Sequence, residues 1–400
     1  MKPESKRVLQ PKLRFPEFRD APQWTEKPLE EILSPIVRER KKPVGAYTGL
    51  GMRSHGKGTF LKNLENPEQN SMEYLYEVQC DDLIVNITFA WEGAIAIAKP
   101  TDTGALVSHR FPTYLFKRDV AIPTFFRYII LDKQFVYSLG VISPGGAGRN
   151  RVLNKTDFLK LRVFLPEVSE QQKIADCLTN LDELIVAHGQ NLDALKALRT
   201  ALMQQLFPRE GETVPRLRFP EFQDAGEWDI KPLMKVAPLQ RGFDLPSDEI
   251  RPGNVPIVYS NGAKGTHERG MAKGPGIVTG RSGTIGKIHF IEEGDYWPHN
   301  TSLWVTSFEG HLPKFVYYLY ESIGFERFAS GSGVPTLNRN DVHSFYAALP
   351  SDIEEQQRIA DCLSSLDQLI GALTVKFDTL RTHKKGLMQK LFPSPLEVEA

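Results

Sequence analysis

Four hundred residues with 41% hydrophobic content and a formal net charge of zero hold enough apolar surface for more than one buried core. No apolar run approaches the ~20 residues that span a bilayer, and the opening MKPESKRVLQP carries no apolar signal segment, so a cytoplasmic protein with no membrane contact is expected. Its three cysteines form no CxxC pattern and its nine histidines no HExxH or other close metal spacing, which argues against a redox or metal enzyme.

Taken in order, the chain says nearly everything twice. PKLRFPEFRDAPQWTEKPLEEI, opening at Pro11, returns as PRLRFPEFQDAGEWDIKPLMKV at Pro215. EQQKIADCLTNLDELI at Glu170 returns as EQQRIADCLSSLDQLI at Glu355, and the copies run on to matching ends, LMQQLFP at Leu202 and LMQKLFP at Leu387. Copies with the same folding instructions bury the same faces, so two similar units related by pseudo-symmetry are implied. The markers divide the chain into a first block with its leader (residues 1–164), a helical segment (165–208), a second block with the repeated leader (209–349), and a second helical segment with a tail (350–400).

The first block is rich in Gly, Pro and aromatics, with short β-prone runs such as Asp82-Leu-Ile-Val-Asn-Ile-Thr and Thr113-Tyr-Leu-Phe. Turns between short strands predict a compact curved sheet, with Phe125 to Leu131 forming a helix on it. Gly51-Met-Arg-Ser-His-Gly-Lys57-Gly58 follows phosphate-loop spacing as far as the lysine, but Gly58 stands where a hydroxyl must reach magnesium, and no apolar strand precedes it. Residues 33 to 164 hold 18 Lys+Arg against 12 Asp+Glu, whereas 237 to 349 hold 10 against 11. Non-specific DNA affinity rests on phosphate neutralisation, so the chain alone is expected to grip DNA weakly.

The helical segments follow the blocks. Apolar positions step through 174, 178, 181, 185, 192, 195 and 202, and again through 359, 363, 366, 370, 373, 377, 380, 387 and 391. Alternating steps of three and four describe a heptad seam, so each segment is predicted to be a long helix packed on another, about 35 residues and about 52 Å long. Arg199 and Lys384 interrupt the two seams at one equivalent place, and Cys177 and Cys362, also equivalent, are expected to pack in the core.

The second block repeats the landmarks of the first. Pro313-Lys-Phe-Val-Tyr-Tyr matches Pro123-Thr-Phe-Phe-Arg-Tyr, Leu337-Asn-Arg-Asn-Asp matches Leu153-Asn-Lys-Thr-Asp, and Gly286-Lys-Ile matches Gly93-Ala-Ile. Strands are predicted at Gly276-Ile-Val-Thr and Lys287-Ile-His-Phe-Ile, and a helix at Phe315 to Tyr320. In both blocks what remains is a polar, glycine-rich inventory suited to base edges, since arginine pairs bidentately with guanine and asparagine with adenine. Candidates in the first block are Arg53, His55, Lys57, Thr88, Trp91, His109, Arg110, Arg149 and Arg151. Those in the second are Arg241, Asn261, Lys264, Arg281, Ser282, Lys287, His289, His299, Asn300, Asn338 and Arg339.

This order of variable block, LP followed by an EQQ-x-IA-x-x-L helix, second block and second such helix, with Gly-Arg-Ser-Gly-Thr-Ile-Gly and Gly-Val-Pro-Thr-Leu-Asn in the second block, resembles the specificity subunits of type I restriction-modification systems across essentially the whole chain. The resemblance implies an α+β fold of two similar target-recognition domains in inverted orientation, separated by two long antiparallel coiled-coil helices. It implies that each domain reads one half of a bipartite double-stranded DNA site. It also implies a chain without catalysis of its own and with no bound cofactor, which recruits two modification subunits and two restriction subunits. S-adenosylmethionine, ATP and magnesium would be used by those partners. The first block departs from the second, with Asn86-Ile-Thr-Phe-Ala-Trp-Glu-Gly in place of Gly-Arg-Ser-Gly-Thr-Ile-Gly.

Two other classes stay open on the residues alone. A stand-alone nuclease would need clustered carboxylates, for which Asp81, Asp82 and Glu92 are the candidates. A non-DNA scaffold would use the helices and leave the blocks passive.

Overall fold

The computed structural model describes residues 8–145, 151–331 and 333–393. The chain forms two compact units, residues 1–187 with 378–400, and residues 188–377. Among the described residues no helix is long and apolar enough to cross a membrane.

In the first unit the leader strand Trp24–Pro28 pairs antiparallel with Arg162–Leu165, the strand that closes the block. A four-stranded antiparallel sheet runs Leu33–Ile36, Thr113–Phe116, Leu83–Val85, Ile95–Ile97. Beside it lies a five-stranded sheet in which the hairpin Tyr47–Met52 and Thr59–Leu64 joins Leu106–Val107 through one parallel pairing. The second unit repeats this plan. Asp229–Pro232 pairs with Tyr346–Leu349, and Leu239–Arg241, Ser302–Val305, Gly276–Gly280, Ile288–Ile291 form the matching antiparallel sheet. The hairpin Val255–Tyr259 and Gly262–His267 again joins its sheet through one parallel pairing, to Asp295–Pro298. The predicted strands thus fall where expected, and the helices Pro123–Ile129 and Pro313–Ile323 start from the matched prolines, which suit a first helical turn because proline lacks only a donor that would be unpaired there. The glycine-bearing segment Gly51 to Gly58 turns between two antiparallel strands rather than leading from a strand into a helix, which removes the phosphate-loop geometry.

The two long helices, Val168–Leu206 and Ile353–Leu391, are each continuous for 39 residues. Ile174 and Leu178 share the first unit's core with Leu391 and Phe392, while Ile359 and Leu363 share the second unit's core with Leu206 and Phe207. Within each unit the start of one helix therefore lies beside the end of the other, the antiparallel pairing that was predicted. Cys177 and Cys362 are free and half-buried, not core residues as expected. Each precedes a fully buried leucine, Leu178 or Leu363, and successive helical residues point ~100° apart, so the leucine takes the core and the cysteine lies to its side.

The repeated motifs meet each other in space. Arg14 donates from Nε and Nη2 to Glu170 at 2.8 and 2.6 Å, and its guanidinium also donates to the carbonyls of Ala21 and Pro22. Arg218 does the same to Glu355, Ala225 and Gly226. The first glutamine of each EQQ ties a strand end to the block, Gln171 to Pro166, Val120 and Ile122, and Gln356 to Pro350 and Leu312. The glutamate of each RFPEF pairs with the cation two residues beyond EQ, as Glu17 with Lys173 and Glu221 with Arg358. One interlock is thus built twice. The seam charges match too: Arg199 pairs with Asp367, to which Tyr318 also donates, and Lys384 pairs with Asp182, to which Tyr128 donates.

Candidate nucleic-acid interface

In the first block the candidates gather around the hairpin loop Arg53 to Gly58. His55 has a left-handed backbone, φ 62°, which turns its N–H to Glu92 O at 2.7 Å and that of Gly56 to Gly93 O at 3.0 Å. Ser54 Oγ donates to the Glu92 carboxylate at 2.7 Å. The loop is thereby docked on the short helix Ala90–Glu92. Trp91, on that helix, donates Nε1 to Thr88 O and lies under Arg151, whose guanidinium carbon is 5.3 Å from the ring centre. Arg110 donates to Thr88 Oγ1 at 3.2 Å. Arg53 stands 4.8 Å over the Phe60 ring, with Lys62 5.1 Å from the same ring. A chain of contacts therefore brings Arg53, His55, Thr88, Trp91, Arg110 and Arg151 onto one patch, with Lys57 in the same hairpin loop. His109 instead lines a separate apolar groove with Tyr76 and Phe111. Arg149 lies outside the described residues.

The three carboxylates that a nuclease reading would need are engaged apart. Asp82 is buried and paired with Arg38 through both oxygens, Asp81 pairs with Arg118, and Glu92 accepts from Ser54. Among the described residues no group of three His, Cys, Asp or Glu is placed to hold a metal ion.

The second block joins two motifs that are far apart in sequence. Ser282 forms a bridge with Thr336, Leu337 N donates to Arg281 O at 2.8 Å, and Gly283 N donates to Pro335 O at 3.0 Å. The Gly-Arg-Ser-Gly turn and the Gly-Val-Pro-Thr-Leu-Asn loop are thus one surface. Arg281 Nη1 donates to Asn300 O at 3.2 Å, and Asn300 Nδ2 donates to Asp244 Oδ1, which also accepts Arg241 Nη2 at 2.8 Å. His299 packs 4.3 Å from the Tyr259 ring and faces Thr301. Burial pulls the His299 imidazole below its usual range, and Asp244 opposes that shift. Arg241, Arg281, Ser282, His299 and Asn300 therefore lie together, while Asn261 and Lys264 are exposed on the neighbouring hairpin and Lys287 directly precedes the strand Ile288–Ile291.

Two candidates face different tasks. His289 turns inward beside Ser260 O and lines a cavity of about 700 Å³ with Tyr317 and Tyr318; burial lowers its pKa. Asn338 caps a short helix by accepting from Asn340 N at 3.0 Å, as Asn154 does from Thr156 and Asp157 in the first block. Arg339 is exposed in the capped turn. Sequence reasoning did not bring Asp244 into this cluster because its contact with Asn300 joins segments far apart in the chain, nor Phe60 and Lys62 to Arg53 because their stacking is made across a hairpin.

Residues 24–197 and 225–376 match the family described as Type I restriction modification DNA specificity domain. The chain is 22% identical over 279 residues to the type I restriction enzyme MjaVIII specificity subunit of Methanocaldococcus jannaschii, covering 62% of this chain and 65% of that one. It is 21% identical over 275 residues to the putative MjaX specificity subunit of the same organism, covering 62% of each. The matches thus span less than two thirds of these relatives' own length. The fold resembles the crystal structure of the type I restriction-modification system S subunit from M. genitalium, with a TM-score of 0.64 at 17% identity over 96% of this chain and 100% of that one.

Proposed function

Because the chain belongs to the Type I restriction modification DNA specificity domain family, we propose that it is the non-catalytic recognition subunit of a type I restriction-modification complex. Each block reads one half of a bipartite duplex site. The observation that carries this reading is one strand order and one interlock serving two unlike polar faces. A shared scaffold with different exposed arginines, histidines and asparagines is what reading two different sequences requires, since base edges are told apart by donor and acceptor pattern. A passive scaffold would give no reason for Arg241, Arg281, His299 and Asn300 to be drawn onto one surface.

The repeated helices offer two equivalent faces, so two copies of a modification subunit are the expected partners, with two restriction subunits joining them. These partners carry S-adenosylmethionine, ATP and magnesium. The chain's zero net charge makes its grip on DNA depend on the assembled complex. The test is genome-wide mapping of methylated adenine in cells that hold the cognate methyltransferase with and without this chain. A split motif that appears only with the chain is expected; methylation that is independent of it, or a single unbroken motif, would contradict the reading.

A further inference from the structure

We propose that Asp244 is a base-reading side chain, a fixed acceptor for the exocyclic amine of a cytosine in the half-site read by the second block. The proposal rests on the function proposed above. Arg241 ends the strand Leu239–Arg241, and Gly242 then passes against the turn at His299. A Cβ at Gly242 would stand 2.2 Å from His299 O and 2.4 Å from Pro298 O, so glycine is what lets the two segments close. Phe243 N donates to Pro298 O at 2.8 Å, which holds that closure and sets Asp244 beside Asn300.

The contacts then fix the polarity of the group presented. Arg241 Nη2 and Asn300 Nδ2 both donate to the same oxygen, Oδ1, and the side chain is 63% exposed, which leaves Oδ2 as the acceptor offered outward. A carboxylate near a phosphate backbone is repelled unless its charge is balanced. Here Arg241 balances it directly, and Arg281 stands one link away through Asn300. An ionised carboxylate only accepts, so its partner must be a donor. In the major groove both adenine and cytosine offer an amine, but adenine sets the acceptor N7 beside it, which a carboxylate repels. Cytosine fits.

The substitution Asp244→Asn separates reading from mere support. Arg241 and Asn300 keep the new amide's oxygen turned toward themselves, so its NH₂ faces outward and an acceptor becomes a donor at nearly constant shape. Methylated-adenine mapping should therefore show one position of one half-site change from cytosine to a base that presents an acceptor, guanine, thymine or, through N7, adenine. Asp244→Ala should loosen the same position, and the other half-site should stay as it is. Should methylation fall below detection, binding of the purified complex to four duplexes that differ only at that pair reads out the same change, expected to be about tenfold or more. The proposal is overturned if both variants keep every wild-type base preference, or if affinity falls evenly for all sequences. Arg281→Ala and Asn300→Ala are read in parallel. If they alter the half-site while the Asp244 variants do not, only this proposal fails; if none of the four alters either half-site, DNA reading by the block fails with it.

Discussion

Arg218 donates to Glu355 through Nε and Nη2, both at 2.7 Å, across 137 residues of sequence, and both side chains are almost wholly buried. Trp228 Nε1 adds a third donor to the same carboxylate at 3.2 Å. Arg218→Ala would strand this anion in the interior, and breaking such a pair typically costs about 3–5 kcal/mol. Thermal unfolding followed by hydrogen exchange should show protection lost across the second unit first. Arg14→Ala should do the same to the first unit, while a shift of under about 1 kcal/mol would place the pair among weak surface contacts.

Acid should act on the second unit. Burial, the largest cause at each, lowers the pKa of His289, His299, His311 and His343, all between residues 188 and 377. Folded, these imidazoles take up protons only at lower pH than the unfolded chain, which does so near pH ~6.5. Their contribution to stability is therefore present above about pH 6.5 and is lost as the pH falls below it toward the folded values. Hydrogen exchange at pH 7.5 and 5.5, corrected for intrinsic rates, should show the second unit losing protection. A gain of protection on acidification would reverse the assigned sign.

Reading should be divisible between the blocks. Arg281→Ala is expected to relax one half-site, at a cost of about 1–3 kcal/mol for a bidentate contact, and Arg110→Ala to disturb the other. Binding of the assembled complex to duplexes mutated in one half at a time measures this. A uniform loss with a shallower salt slope would assign the arginine to phosphate instead.

The repeats, the strands and the helical seams are legible in sequence because they are local patterns, each carried by a short window. The pairs that explain the repeats are not. Arg14 and Glu170 are 156 residues apart, and nothing within either segment names the other. Arg199 and Lys384 stand out as charges in apolar seams, but Asp367 and Asp182 become their partners only once two helices are laid side by side. Asn338 looks like a reader of adenine, yet an asparagine directly before a helix start is also a cap, and its side-chain oxygen serves the backbone. Asp244 joins Asn300 only through a contact between segments 56 residues apart, which no local window shows.

If the paired helices set the spacing of the two half-sites, lengthening both helices should lengthen the unread spacer. Asp193 and Asp378 are equivalent positions in two continuous 39-residue helices. Inserting four residues after each adds about one helical turn, ~6 Å, and nearly preserves rotation. Methylated-adenine mapping of this variant with its cognate methyltransferase tests the account most directly. With DNA rising ~3.4 Å per base pair, both half-site sequences should persist while the unread spacer between them grows by one or two pairs. An unchanged spacer with full methylation, or altered bases in either half, would contradict it.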